Sequence, residues 1–184
     1  MRVGNVIWLF GLSGAGKTTL GERLSRELGY LFLDSDVVRR VLSIPENFSV
    51  LGRSNYQEVL RMHVKEMQWR GNDCVVASIT PLQEMRNLNR VMLDNYFEVY
   101  LSCSILELFN RDPKGLYAKA RCGEIKDFTG VTSPFEVPRI DAGLEEDYRV
   151  PATVIETDSL SVEESYGKLW QWVTLWALKK GVVG

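Results

Sequence analysis

Residues 11 to 18 read Gly11-Leu12-Ser13-Gly14-Ala15-Gly16-Lys17-Thr18, a complete G-x-x-x-x-G-K-[ST] signature set between the apolar run 5–10 and a helix-compatible stretch. The glycines let successive backbone N–H groups converge on phosphate oxygens, and the helix that follows adds its positive N-terminal end. In such a loop Lys17 reaches the β and γ phosphates and the Thr18 hydroxyl ligates Mg²⁺. A strand, this loop and a helix in sequence point to a user of nucleoside triphosphates, and hence to phosphoryl chemistry.

Phosphoryl transfer also needs a group that orients or deprotonates the attacking hydroxyl. The expected third strand carries no carboxylate between Cys74 and Thr80, so the burden falls on Asp34 and Asp36 at the end of the second. One would accept the proton of the nucleophile and the other would hold Mg²⁺ through water. Asp34 and Ser35 also have the composition of a helix cap, a purely structural role.

The elements that must position these groups follow from pattern. Continuous apolar runs at 5–10, 30–33, 73–78, 96–101 and 152–156 read as strands covered on both faces. Helical periodicity lies between them at 17–28, 35–43, 54–70, 82–94 and 104–110, with a short piece near 116–122 and a last helix at 161–179. Alternation of this kind predicts right-handed βαβ units and an α/β fold of the P-loop NTPase type: three α/β/α layers around a mostly parallel five-stranded sheet. Gly29 stops the first helix, and the second strand then delivers both aspartates to its carboxyl end, where open α/β sheets place ligands. Residues 112–150 break the pattern with Asp-Pro, Lys-Gly, Thr-Gly, Ser-Pro and Val-Pro pairs, and an irregular stretch of that length predicts a lid.

The 184 residues suit a single kinase domain spanning 1–184, large enough to bury about 70% of its unfolded surface without disulfides. A formal charge of −2 gives no general attraction for a nucleic acid polymer. Cys74, Cys103 and Cys122 are odd in number and far apart, unlike a zinc site or a redox pair. The first strand runs directly into the phosphate loop, which argues against a cleaved leader, and no apolar run reaches the length of a membrane span. A cytoplasmic protein is expected. His63 has no Ser or Cys partner in the pattern and is read as structural or surface.

Three blocks carry a resemblance: 11–19 of the loop, Leu33-Asp34-Ser35-Asp36-Val37-Val38-Arg39 with Phe48-Ser49, and the stretch from Arg111 to Val131 with Pro134-Phe135-Glu136. Together they resemble the adenylylsulfate (APS) kinases over about residues 5 to 170. The resemblance implies transfer of the ATP γ-phosphate to the ribose 3′-hydroxyl of APS. It implies an ATP site of Gly11, Ser13, Gly14, Ala15, Gly16, Lys17, Thr18 and Thr19, with Arg111 against the base. Lys17, Asp34 and Asp36 would be catalytic, and Thr18 and Asp36 would hold the metal. Arg39 and Arg53 would hold the acceptor's anion, a task that suits a forked guanidinium. Phe48 and Phe128 would clasp the acceptor base, with Lys126 and the Ile79-Thr80 backbone completing the pocket. Packing roles for the two phenylalanines and solvated roles for the two arginines are the plain alternatives.

The chain departs from the family on the acceptor side. The family typically has Asp-Gly-Asp-Asn where Asp34-Ser35-Asp36-Val37 stands, and Tyr56, Glu58 and Val59 occupy places where Asn and Arg are expected. Thr80 follows Ile79 where the family has serine. An alternative acceptor follows from these changes, another nucleotide-activated anion such as a cytidine diphosphoramidate. The last helix carries Trp170, Trp172 and Trp176, which serve either the core or a homodimer surface.

Overall fold

A computed structural model describes residues 2–138 and 152–179. In chain order the elements are β1 (Val6–Phe10), α1 (Lys17–Leu28), β2 (Leu31–Asp34), α2 (Ser35–Val41), α3 (Val50–Trp69) and β3 (Cys74–Ser78). They continue with α4 (Gln83–Met92), β4 (Tyr96–Ser102), α5 (Ile105–Arg111), α6 (Leu116–Arg121), β5 (Ala152–Glu156) and α7 (Val162–Lys179). The strands form one sheet in the order β2-β3-β1-β4-β5, and every pairing is parallel, a stricter arrangement than the mostly parallel sheet expected.

The expected elements all form, with shifted ends. Helix α3 begins at Val50 rather than 54, because the Ser49 hydroxyl accepts the Gly52 N–H at 3.1 Å and so caps the helix earlier than the apolar period suggests. Helix α2 ends at Val41, short of 43, where Ser43 enters the left-handed region at φ 52°. Strand β2 lies at the edge of the sheet and is half-buried, with Leu31 43% exposed, so it lacks the two-sided cover expected of every strand.

Alternation along the central strand divides the core between two faces. Ile7 and Leu9 of β1 pack with Leu24 of α1 and Leu169 and Trp176 of α7, while Val6, Trp8 and Phe10 pack with Leu60 and Val64 of α3. Trp176 stacks on Phe97 of β4 with ring centroids 5.4 Å apart. Trp170 and Trp172 remain exposed, so the tryptophans of α7 divide between core and surface. No helix among the described residues is long and apolar enough to cross a membrane.

Residues 112–138 of the expected lid lie across the phosphate loop; residues 139–150 lie outside the described residues. Helix α6 is started by Asp112, whose carboxylate accepts the N–H groups of Tyr117 and Ala118, both at 3.0 Å. The Tyr117 hydroxyl donates to the Ser13 carbonyl at 2.8 Å, joining lid to loop. Gly130, at φ +88°, seats the return: a Cβ there would meet Leu12 Cδ2 at 2.7 Å, closer than atoms pack. The far end is fastened by buried Arg86, which donates to the carbonyls of Thr80 at 3.0 Å and Glu136 at 2.8 Å.

Candidate active site

The phosphate loop ends at Gly16, whose left-handed backbone at φ 95° precedes the first turn of α1 and would strain any other residue. Lys17 folds back, its Nζ donating to the Leu12 carbonyl at 2.7 Å. Burial pushes its ammonium down to about 8 from the ordinary 10.5, opposed by the charges of Asp36 and Asp34 and assisted by that of Lys114. A lysine poised in this way gains most from an arriving polyanion.

Asp34 closes β2 and caps α2, its carboxylate accepting the Asp36 N–H at 2.9 Å. The cap role coexists with a second contact: the other carboxylate oxygen accepts the Thr18 hydroxyl at 2.8 Å. Asp36 faces the lid and pairs with Lys114 Nζ at 3.2 Å. A cavity of about 410 Å³ gathers Lys17, Thr18, Asp34, Asp36, Ile79 and Lys114 around one space at the carboxyl ends of β2 and β3.

Thr18 and Asp34 offer only oxygen donors, the chemistry a hard divalent cation requires. Among the described residues no group of three or more His, Cys, Asp or Glu could hold a metal alone. The residues therefore fit an ion such as Mg²⁺ that takes one or two protein oxygens and completes its shell with phosphate and water.

The other expected residues take varied places. Ile79 lines the cavity. Arg39 lies over the Tyr56 ring, its guanidinium carbon 3.7 Å from the centroid, and over Phe48 at 6.0 Å. Arg53 reaches the lid, donating to the Asp127 carbonyl and the Ser133 hydroxyl. Phe128 sits half-buried with its ring edge-to-face on Tyr117, centroids 4.9 Å apart, so it packs the lid while leaving part of its surface open. Phe48 and Lys126 are exposed. Arg111 is held between Glu107 Oε1 at 2.9 Å and the Thr157 carbonyl at 2.6 Å, outside the lining of that cavity.

Thr80 is fully buried at a positive φ of 44°, rare for a β-branched residue. Its hydroxyl accepts the Trp8 indole N–H at 2.9 Å, so the side chain serves the core and only its backbone is left for the pocket edge.

Two cavity residues escaped the sequence reading. Lys114 lies inside the Arg111–Tyr117 block but gained a role only from its contact with Asp36, 78 positions away. Arg40 lines the cavity beside Asp36, whereas the resemblance named its basic neighbour Arg39.

Comparison with known proteins identifies the family. The family model for adenylylsulphate kinase matches residues 3–144. An adenylyl-sulfate kinase from Bacillus licheniformis is 38% identical over 180 residues, covering 92% of this chain and 84% of the relative. A probable bifunctional SAT/APS kinase 2 from Sorangium cellulosum is 37% identical over 171 residues; the match covers 90% of this chain and only 28% of that longer protein. The solved structure of the Mycobacterium tuberculosis APS kinase CysC in complex with AMPPNP and APS superimposes with a TM-score of 0.79 at 32% identity, covering 95% of this chain and 99% of that one. A family model matching residues 3–144 and a relative 38% identical over most of both chains show that the chain belongs to the adenylylsulphate kinase family.

Proposed function

We propose that the protein transfers the γ-phosphate of ATP to the 3′-hydroxyl of adenylyl sulfate, giving the 3′-phosphorylated sulfate donor. The observation that carries the reading is the single cavity that joins Lys17 and Thr18 of the phosphate loop to Asp34, Asp36 and the lid residue Lys114. The loop N–H groups cradle the triphosphate, and Lys17 neutralises charge on the β and γ phosphates. Thr18 and Asp34 would hold magnesium, whose charge would offset that of the same phosphates. The Thr18–Asp34 hydrogen bond favours Asp34 for the metal side, with Asp36 free to take the acceptor's 3′-hydroxyl proton once Lys114 turns to the phosphates. Arg39 and Arg53 hold the phosphosulfate, and Phe48 and Phe128 stack on the acceptor base.

Further parts of the proposal are a cytoplasmic setting, in keeping with three free thiols, and a homodimer that covers the exposed Trp170, Trp172 and Leu175 of α7.

The test is ADP release with Mg-ATP, offering APS against a cytidine-based diphosphate. APS-dependent turnover is expected, with Asp36→Asn lowering kcat by about 10²-fold or more and Arg53→Ala raising the KM for APS. Tight ATP binding without APS-dependent turnover would refute the reading, and preference for the cytidine acceptor would assign a different substrate.

A further inference from the structure

Tyr56 stands where the family resemblance leads one to expect asparagine, and its surroundings give it work. Only 5% of it is exposed. The Arg39 guanidinium carbon lies over the Tyr56 ring, 3.7 Å from its centroid, while its Nη1 donates to the Pro45 carbonyl at 3.2 Å. The Tyr56 hydroxyl donates to the carbonyl of Ser35, the residue between Asp34 and Asp36. Burial pushes the phenol up to about 12, so the hydroxyl remains a donor throughout the physiological range.

We propose that Tyr56 is a positioning residue for acceptor recognition: its ring is the platform that holds the Arg39 guanidinium ready for the acceptor's anion. This rests on the reading of Arg39 given above. An arginine free in solvent loses rotamer freedom when it grips an anion, whereas one already laid on a ring and tied to a carbonyl loses less. The platform also suits a planar, weakly hydrated guanidinium in a way that an asparagine side chain cannot. Acceptor recognition in this chain thus draws on an aromatic residue that touches no substrate itself.

The experiment is steady-state kinetics of the full chain with Mg-ATP and APS, for wild type, Tyr56→Phe, Tyr56→Leu, Arg39→Ala and the Tyr56→Leu/Arg39→Ala pair. Tyr56→Phe keeps the ring and is expected to leave the KM for APS within about twofold. Tyr56→Leu removes the platform and is expected to raise that KM about tenfold, with the KM for ATP unchanged. Because Tyr56 acts through Arg39, the double variant should be no worse than Arg39→Ala alone. An unchanged APS KM in Tyr56→Leu, an equal rise in the ATP KM, or additive losses in the double variant would each overturn the assignment. Should Tyr56→Leu fail to fold, Tyr56→Met decides: it fills the buried space without a ring, so a tenfold rise in APS KM with the ATP KM unchanged supports the platform and a change under twofold overturns it. Wild type that binds ATP but gives no APS-dependent ADP overturns the proposed reaction and this assignment with it, whereas active wild type with an indifferent Tyr56→Leu overturns this assignment alone.

Discussion

Lys17 offers a titration that reports on the site directly. Its ammonium is pushed down to about 8 in the free protein, and a bound triphosphate favours the charged form. Binding is therefore coupled to proton uptake, and affinity should fall as pH rises through about 8. Calorimetry of ATP binding at pH 8 in two buffers of different ionisation enthalpy should show uptake of about half a proton. The same experiment on Lys17→Arg should show almost none, because arginine stays protonated. Folding is linked in the opposite direction. The unfolded chain keeps this proton up to about 10.5 and the folded one only to about 8, so the Lys17 contribution makes stability rise with pH across that window.

At the scale of elements, the proposed reading implies that the segment 112–138 acts as a lid that separates transfer from wasteful hydrolysis. Its seat depends on the bond from Tyr117 to Ser13, the close approach of Gly130 to Leu12, and the Arg86 clasp at Glu136. Gly130→Ala brings both a positive φ and a 2.7 Å clash, so the lid should close poorly. The expected result is a rise in ADP release without acceptor relative to ADP release with it, read in one coupled assay. Lys114 tests a different property of the same segment. Its pair with Asp36 is largely exposed, so Lys114→Ala should change unfolding free energy by less than about 1 kcal/mol. If Lys114 turns to the transferred phosphate as proposed, its loss should nevertheless lower kcat/KM about tenfold or more. The irregular composition of the lid was legible in the sequence. Which of its residues reach the loop and which reach the aspartates depends on how it folds back.

Across the whole molecule, a polar cluster is sealed beneath α3 and α4. Glu98 is fully buried in β4 and pairs with Arg90, while the Tyr96 hydroxyl donates to its other oxygen at 3.1 Å. Nearby, buried Arg61 donates to Asn89 Oδ1 at 2.8 Å. Removing one partner of such a pair leaves a buried charge poorly compensated. Arg90→Met should therefore cost about 3–5 kcal/mol in urea unfolding, with activity at low temperature retained. The sequence assigned these residues no role: Glu98 falls inside the run 96–101 read as a continuous apolar strand, and its partner Arg90 comes from α4.

The sequence by itself determined the features that depend on short stretches of backbone. The run from Gly11 to Thr18 specifies its own turn and the start of α1, the apolar periods specify the strands and helices, and Gly29 marks the end of α1 through local torsion. The family blocks carried the same local information and pointed to the right relatives. Tertiary structure alone decided which residues share a space. The order β2-β3-β1-β4-β5 places Asp34 beside Thr18, the folded lid brings Lys114 to Asp36 and Asp127 to Arg53, and the turn between α2 and α3 lays Arg39 on Tyr56. It also turned Thr80 inward to Trp8. These contacts join positions 16 to 78 residues apart, and they exist only after sheet order and lid path have been chosen by burial of the whole core, a sum over many residues that no local pattern carries.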